Sequence, residues 1–437
     1  MSDDFSFVKN NGGLDACGSN HVIKVVGIGG CGNKAVNHMI NQGLNGPEYV
    51  GLNTDPQDLD NCLATTKILI GEKTTKRRGC GGNPEKGRLA SEESVEKIKE
   101  ALNGTDMLFI AAGMGGGTGS GGAAVIARAM SELDPRPLIV AFVTTPFDFE
   151  KQHRKTVAAQ SIKTLTPFCN SVITVSNAKL QSTAPKGTTM LQGQAMANDI
   201  LYRGVAGIIE ILTKPGTINN LDFEDIQQAL SVQGPGLIGL GDAQGEDRAK
   251  KAFKNAISSP LMANSSLKGA KRILVNLTGD ENLLLEEYVL VSELATAEVK
   301  DDCEVFTGTV TDNSLMADGS VRVTVIATGI MDDGGDGKLW DSPSKDELEK
   351  LGEEVITLDT YAEEPEVMVR PERENVPNIT ITPPAARPPM QVHAPLGEAR
   401  KDGSQGYAPP QNQRPNLALQ AGVKPVPKRP TKYESNL

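Results

Sequence analysis

Residues Met107–Gly122 read MLFIAAGMGGGTGSGG, an apolar run that passes into seven glycines within the ten positions Gly113–Gly122. MLFIAAG has the length and composition of a strand buried on both faces. GGAAVIARAMSEL carries a helical pattern, so the glycines join a buried strand to a helix expected to begin near Gly121. Consecutive glycines remove the Cβ atoms that keep backbone N–H groups from an anion, and they permit the positive φ values that gather those groups into one concave nest. The helix start adds unpaired amides and the positive end of its dipole, while Thr118 and Ser120 offer hydroxyl donors. A tight turn needs one glycine. This density points to phosphate.

Outward from that loop the same alternation repeats. HVIKVVGI, EYVGLNT, PLIVAFVTT and NSVITVSN read as strands, and KAVNHMINQ, EESVEKIKEAL and VAAQSIKTL as helices. Near-continuous apolar strands alternating with helices predict an α/β layer with a mostly parallel sheet. A second glycine loop, Gly27-Ile28-Gly29-Gly30-Cys31-Gly32, fits the dinucleotide fingerprint G-x-G-x-x-G, with Asp55 near the end of the next strand. Alone it would support an NAD-dependent oxidoreductase, but that fold needs only one such loop. His21, His38, His153 and His393 are the only histidines, and none has a convincing catalytic setting. Two loops on neighbouring strands can hold one nucleotide, the first against the ribose and inner phosphates, the second around the outer phosphates. The P-loop string GxxxxGK[ST] is absent.

Further along, Leu201, Val205, Ile208 and Leu212 recur at helical spacing, and Lys214-Pro215-Gly216 is expected to end that helix. Between Leu221 and Ile330, EDRAKKAFKNAI reads as a helix and KRILVNLTG, CEVFTGTV and VRVTVIATG as strands of a smaller α/β domain. Beyond Met331 lie fifteen of the chain's 26 prolines and almost no apolar periodicity. That composition predicts disorder, and roughly 100 flexible residues reach on the order of 55 Å. The expected organisation is a flexible N-terminus (1–20), a nucleotide-binding domain (21–190), a central helix (191–214), a second domain (215–330) and a Pro-rich tail (331–437).

The 437 residues are 38% hydrophobic and 4% aromatic, with a formal charge of −11. Such acidity argues against nucleic acid as a partner. The start MSDDFSFVKN lacks the features of a signal peptide, and no apolar run approaches the roughly 18 residues of a membrane span. Six scattered cysteines without CxxC or metal spacing read as reduced thiols of a cytosolic protein.

Several strings in order, IKVVGIGGCGNKAVNHMI, VGLNTDPQDL, FIAAGMGGGTGSGG, TPFDFEKQHR, KPGTINNLDFEDI, GEDRAKKAFKNAISSPL and RVTVIATGI, resemble the tubulin/FtsZ family, most closely its FtsZ branch of cell-division GTPases. The resemblance covers about His21 to Ile330. It implies a Rossmann-like GTPase domain, a long central helix and a smaller C-terminal domain. It implies GTP or GDP as ligand, with Mg2+ bound through the phosphates, and head-to-tail homopolymers in the cytoplasm at the division site. Division or membrane-tethering proteins would engage the tail.

Residue by residue, the resemblance assigns Gly30, Cys31, Gly32, Asn33 and Lys34 to the first nucleotide loop. Gly116, Gly117, Thr118 and Gly119 would cradle the β- and γ-phosphates. Glu150 and Arg154 would contact ribose and guanine-side groups, although by spacing alone they read as an i,i+4 surface ion pair. Asn198 would read the guanine edge. Asn220, Asp222 and Asp225 lie in the loop that enters the nucleotide site of the next subunit, where carboxylates orient the attacking water. By local pattern the same loop reads as an N-cap, with Asp222 or Asn220 capping the helix of DIQQAL; one loop can do both. Three departures stand out. Lys34 occupies a position where the family usually has asparagine, Gln194 one where an aromatic commonly stacks on the base, and KPVPKRPTKYESNL differs from the usual apolar–basic C-terminal peptide. The first two motivate an alternative, a structural paralogue that forms filaments but turns over slowly.

Overall fold

The computed structural model describes residues 21–214, 219–259, 261–262, 267–313 and 319–330. The expectations for residues 1–20, for Pro215-Gly216 and for the tail 331–437 lie outside the described residues.

The chain begins with β1 (Ile23–Ile28), α1 (Gly29–Asn41), β2 (Glu48–Asn53), α2 (Pro56–Asp60) and β3 (Thr66–Leu69). Three helices follow, α3 (Glu72–Thr75), α4 (Pro84–Glu93) and α5 (Val95–Leu102). Next come β4 (Met107–Gly113), α6 (Thr118–Ser131), β5 (Leu138–Thr145), α7 (Gln152–Leu165), β6 (Ser171–Ser176) and α8 (Asn177–Thr183). The long α9 (Met190–Thr213) leads to α10 (Phe223–Leu230), β7 (Pro235–Gln244), α11 (Arg248–Ile257), β8 (Arg272–Gly279), α12 (Leu285–Ala297), β9 (Glu304–Thr311) and β10 (Ser320–Thr328).

Strand order is β3-β2-β1-β4-β5-β6-β7-β10-β8-β9. The first seven run parallel, but β6 and β7 share only the pairs Val172↔Pro235 and Ile173↔Gly236. Most of β7 instead pairs antiparallel with β10. The sheet therefore has a parallel half, as its apolar runs dictate, and a mixed half hinged on one strand. Alternate residues of β1 serve opposite cores. Val25 faces α1 and α9, whereas Val26 and Ile28 face the layer containing Ile98, Leu102, Ile126 and Met130. α9 packs against both halves, since Ile208, Ile209 and Leu212 share a core with Phe142 of β5 and Leu274, Val310 and Ile326 of the second half.

Local pattern misplaced three boundaries and missed several elements. EESVEKIKEAL, read as one helix, is two, because the chain breaks at Ser94, whose hydroxyl oxygen accepts the Gly71 amide at 2.9 Å. The helix expected near Gly121 starts at Thr118, and α1 starts at Gly29, inside its glycine loop. The strands β3 and β7 and the helix α12 carry no clean period: β3 is short and half-exposed, and β7 is glycine-rich.

Candidate nucleotide site

In the parallel half the strand order reverses between β1 and β4, which are hydrogen-bonded neighbours. In open α/β sheets the crevice beyond the carboxyl ends of such a pair is where ligands bind. Both glycine loops emerge there. α1 leaves β1 and α6 leaves β4 with their first turns in contact, since a Cβ on Gly29 would lie 3.2 Å from the Gly119 nitrogen and 3.2 Å from Thr118 Cβ. Gly29 has φ +70°, the left-handed turn that swings β1 directly into α1. Two helix N-termini thus aim their unpaired amides at one spot.

The glycines of the second loop divide by job, and most do not do what their density suggested. A Cβ on Gly117 would meet Cys80 Cβ at 2.6 Å, on Gly119 the Gly113 carbonyl at 2.6 Å, on Gly121 the Pro84 carbonyl at 1.9 Å, and on Gly122 Ser91 Oγ at 2.6 Å. These four let α4 and β4 approach α6. Gly115 needs its φ of +91°, and its amide donates to Ser120 Oγ at 2.9 Å. Only at Gly116 would a Cβ meet little, its nearest neighbour being Arg154 Nη2 at 4.0 Å. The packing explanation for clustered glycines therefore accounts for more of them than local reading allowed, while Gly116 faces the crevice.

The hydroxyls are also redeployed. Thr118 Oγ1 lies 2.8 Å from Thr54 Oγ1 and within 3.5 Å of Cys80 Sγ, and Ser120 is buried as the bracket for Gly115. They brace the nest from behind rather than line it. Thr54 and Cys80 were not singled out in the sequence, where no local pattern marks them. Gly116→Ala is accordingly expected to weaken guanine-nucleotide affinity by about tenfold or more with an unchanged melting midpoint, measured by fluorescent-nucleotide titration beside thermal unfolding.

Of the first-loop residues, Cys31 and Lys34 are exposed at the mouth, Gly30 is half-buried, and Gly32 and Asn33 are buried. Gly32 touches β4, as a Cβ there would meet the Ala111 carbonyl at 2.2 Å. Asn33 is 2% exposed, and neither Nδ2 nor Oδ1 has a hydrogen-bond partner. Buried amides without partners are uncommon and cost about 1–3 kcal/mol, so this one suits a polar ligand or ordered water. Cys31 opens to solvent on one side but is walled by protein on the others. Burial raises its thiol pKa, Lys34 and Arg154 pull it down, and Glu150 and Asp58 push it up.

Glu150 and Arg154 form their ion pair, and it sits on the nest. Arg154 Nε donates to the Gly115 carbonyl at 3.0 Å, and Glu150 Oε1 accepts the Phe147 amide at 3.0 Å. Gly193, in the first turn of α9, lies against Phe147, which brings that helix end to the same rim. Asn198 is half-buried on α9, and its neighbour Asp199 meets His38 of α1 at 3.4 Å. The crevice thus gathers both loops, the Glu150–Arg154 pair and the start of α9.

Asn220, Asp222 and Asp225 lie elsewhere. Asp222 caps α10, its Oδ1 accepting the Asp225 amide at 2.9 Å while Asp225 Oδ2 accepts the Asp222 amide at 3.1 Å. Phe223, between them, stacks on His21 with ring centroids 4.0 Å apart and planes 14° apart. His21 directly precedes β1, whose other end opens into the glycine loop. The six residues of β1 span about 20 Å, so acid turn and crevice occupy opposite ends of one strand.

Comparison with known proteins agrees with this arrangement. A family model described as "Tubulin/FtsZ family, GTPase domain" matches residues 22–185, and one described as "FtsZ family, C-terminal domain" matches residues 234–331. An empty FtsZ dimer from M. jannaschii is 34% identical, with 75% of this chain and 96% of that chain covered at a TM-score of 0.68. A GTPγS-bound protofilament of CetZ2 from Haloferax volcanii shares the fold at 21% identity, covering 71% of this chain and 93% of that one at a TM-score of 0.62.

Proposed function

Because the chain belongs to the tubulin/FtsZ family of GTPases, we propose that it assembles head to tail and hydrolyses GTP where one copy's acid turn enters the next copy's crevice. The oxidoreductase reading of Gly27–Gly32 falls with that membership. The observation that carries the proposal is the placement of crevice and acid turn at opposite ends of β1, too far apart to act within one molecule. A contact between unlike ends does not close on itself, so it propagates as a filament. The printed descriptions of the relatives, a dimer and a protofilament, support self-association.

In this reading the outer phosphates rest on the amides of Gly116, Gly117, Thr118 and Gly119. The inner phosphates and ribose lie by Gly30, Cys31 and Gly32. Asn33, Lys34, Glu150, Arg154 and Asn198 line the sugar and base side, where the unmet amide of Asn33 gains partners. Mg2+, when bound through the phosphates, neutralises part of their charge. Asp222 and Asp225 of the next copy orient the attacking water and draw off its proton, with Asn220 beside them. The reciprocal cap holds both carboxylates in place before contact. Carboxylates fixed permanently beside a triphosphate would repel it; delivered only on assembly, they couple turnover to polymerisation. The division-site role in the cytoplasm, with tethering through the tail, completes the proposal. No helix among the described residues is long and apolar enough to cross a membrane. The slow-turnover alternative draws on Gln194, exposed on α9 near the rim.

Two exposed apolar patches fit the same contact. Phe149, Met190 and Leu191, 59%, 54% and 78% exposed, lie at the crevice rim. Leu284, Leu285 and Val289 lie on α12 and the residue before it, and Tyr288 of that helix meets Asn219 beside the acid turn at 3.2 Å. Leu191→Glu or Leu285→Glu is expected to abolish GTP-dependent pelleting while leaving monomeric nucleotide affinity within about twofold, because a carboxylate buried unpaired in an interface costs several kcal/mol. The defining test of the whole reading is light scattering with simultaneous phosphate release. Scattering should rise with GTP, and turnover per molecule should climb with protein concentration. A rate per molecule that ignores dilution overturns the shared site; normal assembly with slow release selects the alternative.

A further inference from the structure

The segment from Gly71 to Asn83 walls the outer side of the phosphate nest and carries three consecutive exposed cations, Lys76, Arg77 and Arg78. Its backbone is unusual. Lys76 (φ 52°) and Arg77 (φ 60°) are two of the three non-glycine residues with positive φ among the described residues. Left-handed backbone at side-chain-bearing residues persists only where surrounding contacts enforce it. Here the Arg77 and Arg78 amides both donate to Thr75, to its hydroxyl and its carbonyl, at 3.2 Å each. The Gly79 amide donates to the Thr54 carbonyl at 3.3 Å, and Lys86 Nζ donates to the Gly79 carbonyl at 3.2 Å. Cys80 then lies against Gly117 and Thr118 of the nest. The loop is pinned to the anion site, with its cations at the edge.

The three cations are not equivalent. Arg77 leans toward Glu72, with Nη1 at 3.9 Å from the carboxylate. Arg78 has no carboxylate within ion-pair distance among the described residues, and it is the nearest of the three to the anchored Gly79–Cys80 corner. Its Cα can be no more than about 7 Å from that of Cys80, so a guanidinium on a side chain of similar length can span to an anion seated on the Gly117 amide. The acids of this neighbourhood favour the same end. Asp58 Oδ2 lies 2.9 Å from where a Cβ on Gly30 would sit, beside the first loop, and Asp55 lies about as far from Gly79 as ordinary contact allows, at 4.0 Å. No carboxylate lies within 4 Å of where a Cβ on Gly116 or Gly117 would sit. The cationic side of the crevice is therefore the outer-phosphate side.

We infer that Arg78 binds the terminal phosphate of GTP from within the same subunit and is the residue by which this chain prefers triphosphate to diphosphate. The inference rests on the guanine-nucleotide reading above. A guanidinium meets two phosphate oxygens at once, while GDP, one phosphate shorter, leaves it in water.

The test compares full-length wild type, Arg78→Ala, Arg78→Lys and Arg77→Ala by equilibrium titration with a non-hydrolysable GTP analogue and with GDP. Arg78→Ala should lose about tenfold in affinity for the analogue and less than about twofold for GDP, the size of one charge-assisted contact. Arg78→Lys should recover part of the loss, and Arg77→Ala should behave as wild type. Retained GDP affinity shows that each variant is folded. An unchanged analogue-to-GDP ratio in Arg78→Ala overturns the inference, and so does an equal loss for both nucleotides, which would mark a loop-holding role. Wild type that binds neither nucleotide sinks the guanine-nucleotide reading itself, and this inference with it.

Discussion

Asp225→Asn should lower GTP turnover by about 100-fold or more while nucleotide affinity of the monomer stays at the wild-type level. Asparagine is the informative choice because Asp225 has two jobs. Its Oδ2 accepts the Asp222 amide at 3.1 Å in the cap of α10, and an asparagine oxygen can keep that bond. Alanine would lose the cap as well, at about 1 kcal/mol, and blur a chemical defect with a structural one. The charge is what the proposed mechanism requires, so its removal should act on the rate and spare assembly. A mixing experiment makes the result specific to a shared site. Asp225→Asn copies keep an intact crevice, and Gly116→Ala copies keep intact acids. Mixed in equal amounts, about a quarter of random head-to-tail contacts pair two intact halves, so turnover should reappear although neither variant works alone. Turnover by Asp225→Asn equal to wild type would remove Asp225 from the chemistry.

Gly121→Ala should be the most damaging single methyl in the nucleotide-binding half. The added Cβ would lie 1.9 Å from the Pro84 carbonyl oxygen and 2.5 Å from the Arg88 nitrogen, both backbone atoms of α4 that no rotamer change can move. Gly87 of α4 is equally close to α6, since a Cβ there would meet the Gly117 carbonyl at 2.3 Å. The two helices touch backbone to backbone, so relief requires their separation. We expect a loss of about 3 kcal/mol or more, and a fall in melting midpoint of roughly 6–12 °C, read by circular dichroism. Gly116→Ala, five residues away, should leave the midpoint unchanged. Equal midpoints for the two variants would mean that the contrast between packing and ligand-facing glycines is wrong.

The apolar runs of β1, β4, β5 and β6, the helical period of α9 and the two glycine loops were all legible from residue order, as was the resemblance they carry. Those features depend on local quantities: side-chain periodicity, the φ freedom of glycine and the exclusion of charge from buried strands. Even the cap at Asp222 was readable, because a capping bond closes within three residues. The roles of individual glycines were not, since Gly116 and Gly117 are identical in sequence and differ only in what packs beside them. Nor was it legible that the Glu150–Arg154 pair grips the Gly115 carbonyl, or that Cys80 and Thr54 brace Thr118. Above all, residue order says nothing of distance across the fold. That the glycine crevice and the acid turn stand at opposite ends of β1 follows from Phe223 stacking on His21, a contact between residues some 200 positions apart that only packing of the whole sheet and α9 could set.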